Sequence, residues 1–320
     1  MRLRPLAGAA TALAALTLTA CGSGGAPAPA AAEDGTLTVV ASTNVYGSIA
    51  RAVGGDAVTI TSLISDPAAD PHSYESTPTD AATVAGGDVV VYNGGGYDEF
   101  MPQLLESAGG ERTVIDVAEL SGLVPAEEAG EEHSADDGHD HGEFNEHFWY
   151  SLPTMQTLAD RLAQELGAAD PANAATYTAN AQSFDAAVAG LIERAQAAGA
   201  SVPGGRVAVT EPVPGYLIET SGLIDATPPE FSEAVEEDTD PPAAVVAATL
   251  ALFDPATPDP LRALILNAQT ETPTTDQVRQ AAEAVGVPVV EVTETLPEGT
   301  DYIGWMTDQV EALTAALNPV

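Results

Sequence analysis

The groups in this 320-residue chain that could hold a cation are five histidines and a large surplus of acids. His72 stands in "DPAADPHSYESTPTD", between an apolar run at 58–64 and a helix start near Pro78. His147 opens "HFWYSLPTM", while Glu211 and Glu294 end the runs "GRVAVTE" and "VPVVEVTE". Imidazole nitrogens and carboxylate oxygens together suit first-row divalent ions, and all of them bind best without a proton. Two carboxylates would also cancel a dication's charge in a buried place. Each type has a plainer use in such a position, as a helix cap, an aromatic-cluster member or a solvated group. Chemistry alone does not select this foursome over Glu271 or Asp301.

The other three histidines belong to a different kind of segment. His133, His139 and His141 lie among Glu131, Glu132, Asp136, Asp137 and Asp140, with Gly138 and Gly142 between them. That stretch, 131–142, is too polar and too rich in glycine to pack. His147 is followed by Phe148, Trp149, Tyr150 and Leu152, whose burial would fix its ring. The line between a solvated segment and a packed one is therefore expected just before His147.

Positioning such residues requires a scaffold, and the apolar pattern describes one. "LTVVAS" (37–42), "VTITSLI" (58–64), "DVVVYNGGG" (88–96) and "TVIDVAEL" read as strands separated by helical stretches. Short β-branched runs alternating with helices predict a parallel sheet covered on both faces. From Pro153 to Gly199 every signal is helical. Asp170 with Pro171 suits a helix start and Gly199 a stop. Between them Tyr177, Ala181, Phe184, Val188, Leu191 and Ala195 recur at one-face spacing. A helix of about 28 residues would span roughly 42 Å, enough for a strut. Alternation resumes with 205–211, 261–268, a helix over 274–285, 287–294 and a final helix to 317. The acid- and proline-rich "TPPEFSEAVEEDTDPP" reads as a surface segment entering a helix. The expected fold is α/β, with lobes at 37–152 and 205–320, a helical segment at 153–204 between them, and the four candidates meeting in the cleft. Ligands of such sheets bind beyond the carboxyl ends of the strands, where three of the four candidates stand.

Composition narrows the partners. There are 48 acids against nine bases, all arginine, for a formal net charge of −39. That field repels nucleic acid and anionic membrane surfaces and gathers cations. Residues 1–20 carry Arg2 and Arg4 followed by an apolar run, the pattern of a secretory signal peptide. Leu18-Thr19-Ala20-Cys21 resembles a bacterial lipobox, which implies lipidation of Cys21, the one cysteine of the chain. Residues 21–36 then read as a flexible tether. An exported, lipid-anchored monomer at the outer face of the cytoplasmic membrane is expected.

The segments "DPHSYESTPTD", "EHFWYSLPTM" and "VTEPVPGYLIETSGL" resemble those of the zinc/manganese solute-binding lipoproteins of bacterial ABC importers, over about 37–317. The resemblance implies four metal ligands. They are the histidine of D-P-H-x-Y-E (His72), the histidine before an aromatic pair (His147), a strand-end histidine or glutamate (Glu211) and a later acid (Glu294). Thr293-Glu294-Thr295 departs from the family's T-D-S pattern, which leaves Glu271 in reserve. It further implies Zn²⁺ or Mn²⁺ as transported ligand, an ABC permease as partner, and a metal-collecting role for the loop of His133, His139 and His141. The loop's imidazoles lean the reading towards zinc, and the two carboxylates towards manganese. A metal-dependent hydrolase is the competing class, but H-E-x-x-H is absent and nothing sets a base against a bound water. A surface adhesin on the same scaffold is the third reading.

Overall fold

The structure, a computed structural model, describes residues 36–67, 69, 71–125 and 144–318. The leader, Cys21 and nearly all of the tether lie outside the described residues, as do His133, His139 and His141.

The first lobe runs β1 (Leu37–Thr43), α1 (Asn44–Gly54), β2 (Val58–Ile64), α2 (Pro78–Ala85), β3 (Val89–Tyr92), α3 (Phe100–Ala108), β4 (Thr113–Asp116) and α4 (Val117–Ser121). Its four strands are all parallel, in the order β2-β1-β3-β4. After a 3₁₀ turn at Phe148–Tyr150 come α5 (Leu152–Ala169) and α6 (Ala174–Ala200). The second lobe runs β5 (Arg206–Val209), α7 (Gly215–Thr220), β6 (Ile224–Asp225), α8 (Pro229–Glu236), α9 (Ala243–Ala251), β7 (Ala263–Asn267), α10 (Pro273–Ala284), β8 (Val289–Val292) and α11 (Tyr302–Leu317). Its parallel order, β6-β5-β7-β8, repeats that of the first sheet. The two halves therefore share a topology without sharing a recognisable sequence repeat. In each, the chain steps to one side of the first strand and then crosses to the other. This creates a switch point at β1/β3 and another at β5/β7, where ligands of such sheets bind.

The central strands have no polar face because helices cover both sides. Val39, Val40 and Ala41 of β1 and Val90 and Val91 of β3 are wholly buried, as expected of a parallel sheet. The predicted stripe of α6, Tyr177 through Ala195, is buried throughout. Burial of each large side chain there contributes about 1.5–3 kcal/mol. The helix carrying that stripe packs against α1, α5 and α11. One continuous core thus runs from Val39 and Ile49 through Leu158 and Leu191 to Val207 and Trp305.

Two local expectations are corrected. The long helix begins at Ala174 rather than at 170, because Asp170 is used to close the turn after α5. Its carboxylate accepts from the Ala172 N–H (3.2 Å), Asn173 Nδ2 (2.6 Å) and Tyr177 OH (2.9 Å). The stretch 227–242, read as a surface segment entering a helix, already holds α8 within itself, and that helix is anchored by buried Phe231, Ser232 and Val235. Among the described residues no helix is long and apolar enough to cross a membrane.

Candidate metal centre

His72 stands on the connection between β2 and α2. The far end of that connection is tied down by a capping box in which Thr77 and Asp80 bond each other's backbone N–H, with Pro78 opening α2. Tyr74 donates to Asp80 Oδ2 at 3.1 Å and lays its ring 4.8 Å from Phe100. The His72 ring then meets Tyr97 edge-on at 4.8 Å. Tyr97 is delivered by a turn only glycine builds easily: Gly94, Gly95 and Gly96 have φ of 71°, 63° and 94°. A side chain at Gly94 would strike the Asp116 carboxylate, and one at Gly95 the rings of Phe144 and Phe148. Buried Asp98 holds the turn by accepting from the N–H groups of Asn93 (2.7 Å) and Gly94 (2.8 Å).

His147 has no exposed surface. Its ring lies 5.1 Å from Trp149 and 6.0 Å from Tyr97. Asn145 sets its tautomer. The Asn145 amide nitrogen donates to the Pro212 carbonyl at 2.7 Å, so its oxygen faces the histidine and lies 2.7 Å from Nδ1. Nδ1 is thereby assigned the proton, and the Nε2 lone pair points into the cleft, as metal-binding imidazoles require.

The carboxylates come from the other lobe. Glu211 lies two residues beyond β5 and Glu294 two beyond β8. Between those strands β7 ends in Asn267, whose Nδ2 donates to Glu294 Oε1 at 2.8 Å and also to Glu211 Oε2. One amide therefore gathers two acids. Glu294 Oε2 faces the first lobe, accepting from Tyr97 OH at 3.1 Å and lying 3.5 Å from His72 Nε2. All four candidates, with Val213, Thr270, Asp238 and Glu236, line one cavity of about 10 Å³, room for about one small sphere. Glu271 is elsewhere: it is exposed and pairs with Arg279 at 3.4 Å. Asp301 caps α11 by accepting from the Gly304 N–H.

Two acids at the site have no counterpart in the sequence reading. Glu236, the last residue of α8, places Oε1 3.3 Å from His147 Nε2. Glu146 is buried and places Oε1 3.5 Å from His72 Nδ1, the second-sphere contact that orients a ligating imidazole. One donor atom each from His72, Glu146, His147 and Glu236 lies within 4.8 Å of the others. The line expected just before His147 is thus drawn too late, since Glu146 and Asn145 belong to the packed side. Their adjacency to His147 was the available signal. For Glu236 there was none, because Glu233 and Glu237 beside it look the same in the sequence.

The site's electrostatics follow from this crowding. Burial first, then the nearby Glu146, pushes the Glu236 carboxyl up to about 9. Burial first, then Glu294, pushes Glu211 up to about 7. Burial alone would lower His72, but its contact with Glu294, then Glu146 and Glu236, outweighs it and raises the imidazole. Glu294 goes the other way, since His72 more than offsets the burial that would raise it. Among the described residues the arginine ion pairs, those of Arg161, Arg194 and Arg279, are made elsewhere. What remains is two imidazoles and several carboxylates around a space for one cation.

Comparison with known proteins agrees with this picture. The family model described as zinc-uptake complex component A periplasmic (ZnuA) matches residues 39–316. The manganese-binding lipoprotein MntA of Bacillus subtilis (strain 168) is 29% identical over 154 residues, 47% of this chain and 46% of that protein. The iron ABC transporter substrate-binding lipoprotein MtsA of Streptococcus pyogenes serotype M1 is 26% identical over 174 residues, 52% of each. The chain spans about half the length of the curated relatives it matches. Among solved structures, the periplasmic zinc binding protein TroA from Treponema pallidum superposes with TM-score 0.67 at 19% identity, covering 88% of this chain and 99% of that one. The solute-binding protein FpvC of Pseudomonas aeruginosa, in complex with Mn²⁺, gives 0.67 at 22%, covering 88% and 98%. The shared feature is the fold, two parallel α/β lobes flanked by helices.

Proposed function

Because the chain belongs to the family described as zinc-uptake complex component A periplasmic, we propose that it captures a divalent transition metal outside the cytoplasmic membrane and hands it to an ABC-type permease. The ion, Zn²⁺ or Mn²⁺, is its cargo. His72, His147, Glu211 and Glu294 are the proposed ligands. The observation that carries this reading is their convergence on one small cavity from segments 75, 64 and 83 residues apart. Two nitrogens and two carboxylate oxygens neutralise a dication and fill a four-donor shell. A site closed by side chains from both lobes leaves no position for a reacting water, so the hydrolase reading loses its footing. Release then requires a ligand-bearing segment to move, since affinity must fall at the permease.

In the same reading Cys21 carries the lipid that holds the monomer at the membrane. The loop at 131–142 collects metal through His133, His139 and His141. Its imidazoles favour zinc, whereas the carboxylates of the cleft favour manganese.

Metal analysis of protein purified without added metal, followed by competition between Zn²⁺ and Mn²⁺, tests the reading. One tightly held equivalent is expected. His72→Ala and His147→Ala should each weaken it by more than about 100-fold, beyond the usual cost of losing an outer partner. Unchanged affinity in both variants would refute the site. Deleting 131–142 should leave the tight equivalent and remove only weaker binding.

A further inference from the structure

Glu236 is a carboxylate for which the fold makes unusual local provision. It is the last residue of α8, followed by Glu237 and Asp238. Three acids at the negative end of a helix are the reverse of what the helix dipole favours. The helix nevertheless stops in a fixed way. Thr239 N–H reaches back to the Ala234 carbonyl at 2.8 Å and Asp238 N–H to Val235 at 3.2 Å, the pattern of a Schellman ending. That ending needs a left-handed residue, and Asp238 supplies it at φ 51°, the one positive-φ non-glycine among the described residues. Such strain collects at functional sites. Its effect here is to aim the final turn of α8 inwards, so that the Glu236 side chain is only 9% exposed and meets His147 Nε2.

A buried carboxylate needs a compensating charge. Among the described residues no arginine pairs with Glu236; it faces His147 Nε2 at 3.3 Å, a nitrogen without a proton in the tautomer assigned above, and it lines the same cavity as Glu211 and Glu294. Helix dipole, αL strain and burial are three local costs, and a cation in the cavity would offset all of them together. We propose that Glu236 is a fifth donor to the captured ion and the residue that tilts the site towards a Mn²⁺-class cation. This rests on the reading of the cleft as a cation site. With Glu236 the donor set is two nitrogens and three carboxylates. That exceeds the tetrahedral shell Zn²⁺ prefers and approaches the larger, oxygen-rich shell that suits Mn²⁺.

The test compares Glu236→Gln and Glu236→Ala with the unaltered protein and with His147→Ala, each titrated with Mn²⁺ and with Zn²⁺ against a chelator of known affinity. Both Glu236 variants should lose about 10–100-fold in Mn²⁺ affinity, the range seen when one supporting group of a metal site is removed. Their Zn²⁺ affinity should change by less than about 3-fold, which also shows that they are folded, so Zn²⁺/Mn²⁺ selectivity rises by about an order of magnitude. Mn²⁺ spectra of the bound ion should report a lower coordination number in Glu236→Ala. Equal losses for both metals, or no loss for either, would overturn the proposal while leaving the four-ligand site standing. If His147→Ala bound both metals normally, the site itself would fall, and Glu236 with it.

Discussion

His147 has no exposed surface and is wedged between Trp149 and Tyr97, whereas Glu211 and Glu294 hang two residues past the ends of their strands and are steered by amides. The imidazole side is held by packed rings, which cannot shift by fractions of an ångström without disturbing the core. The carboxylate side is held by a few hydrogen bonds, from Asn267 to both acids and from Tyr97 to Glu294, each worth about 1 kcal/mol or somewhat more net. The same division is chemical: the first lobe and the segment before α5 give the nitrogens, and the second lobe gives the oxygens. In the proposed reading neither half completes the site. With several acids crowded there, the second lobe would be the side to yield when the ion leaves.

The largest effect should come from removing the packing on the imidazole side. Trp149, 1% exposed, lies 4.6 Å from Tyr97 and 5.1 Å from His147, and its indole supports both rings. Trp149→Ala is expected to cost about 3–5 kcal/mol of stability, measured by denaturant unfolding in chelator, with metal affinity falling alongside. A loss below about 1 kcal/mol would show that aromatic packing is not what fixes His147.

On the carboxylate side the two readouts should separate. Glu211→Gln should weaken metal binding by about 10–100-fold yet leave the protein in chelator as stable as before or more so. Burial and the neighbouring Glu294 already press Glu211 up to about 7. A neutral amide of the same shape removes a charge that is costly to bury. Competition titration and thermal unfolding of one preparation decide it. A destabilisation of more than about 1 kcal/mol would make Glu211 a structural group and erase the contrast between the sides.

That contrast also explains what could be read from the chain beforehand. The strands, the stripe of α6 and the two histidines carry local signals: β-branched runs, four-three spacing, or a histidine beside prolines or aromatic rings, whereas Glu211 and Glu294 were singled out from other acids only by the family resemblance. Glu236 was not, because nothing within "EFSEAVEEDTDPP" distinguishes it from Glu233 or Glu237. Its burial is decided by where α8 docks, through Phe231 and Val235, and docking is a long-range property. The start of α6 was misplaced for a similar reason. Asp170 is a good cap in isolation, but Asn173 and Tyr177 compete for its carboxylate. The switch points were readable only as strand ends, since the repeated β2-β1-β3-β4 order leaves no mark in the residues themselves.

The smallest and most specific effect should come from Gln269, where the two sides are joined. Its Nε2 donates to the carbonyls of Pro67 (3.1 Å) and Ala69 (3.2 Å), on the connection that carries His72. Its Oε1 accepts from the N–H groups of Glu294 and Thr295. Thr295 Oγ1 also donates to Pro67 O at 3.0 Å. One amide therefore sets the spacing between an imidazole and a carboxylate 222 residues apart in the chain. Gln269→Ala removes that strap but touches no donor atom, so the ion should still bind in the same shell and leave sooner. The expected change is about 10-fold in the dissociation rate, or about 1.4 kcal/mol, within reach of losing two or three net hydrogen bonds. Stopped-flow release into excess chelator measures it, and the melting temperature should move by no more than about 2–4 °C. Gln269→Glu sharpens the point, because a carboxylate facing two carbonyl oxygens has nothing to donate. It should release metal at least as fast as the alanine variant despite its nearly unchanged size. If both variants released metal at the unaltered rate, the carboxylate side would not be the compliant one.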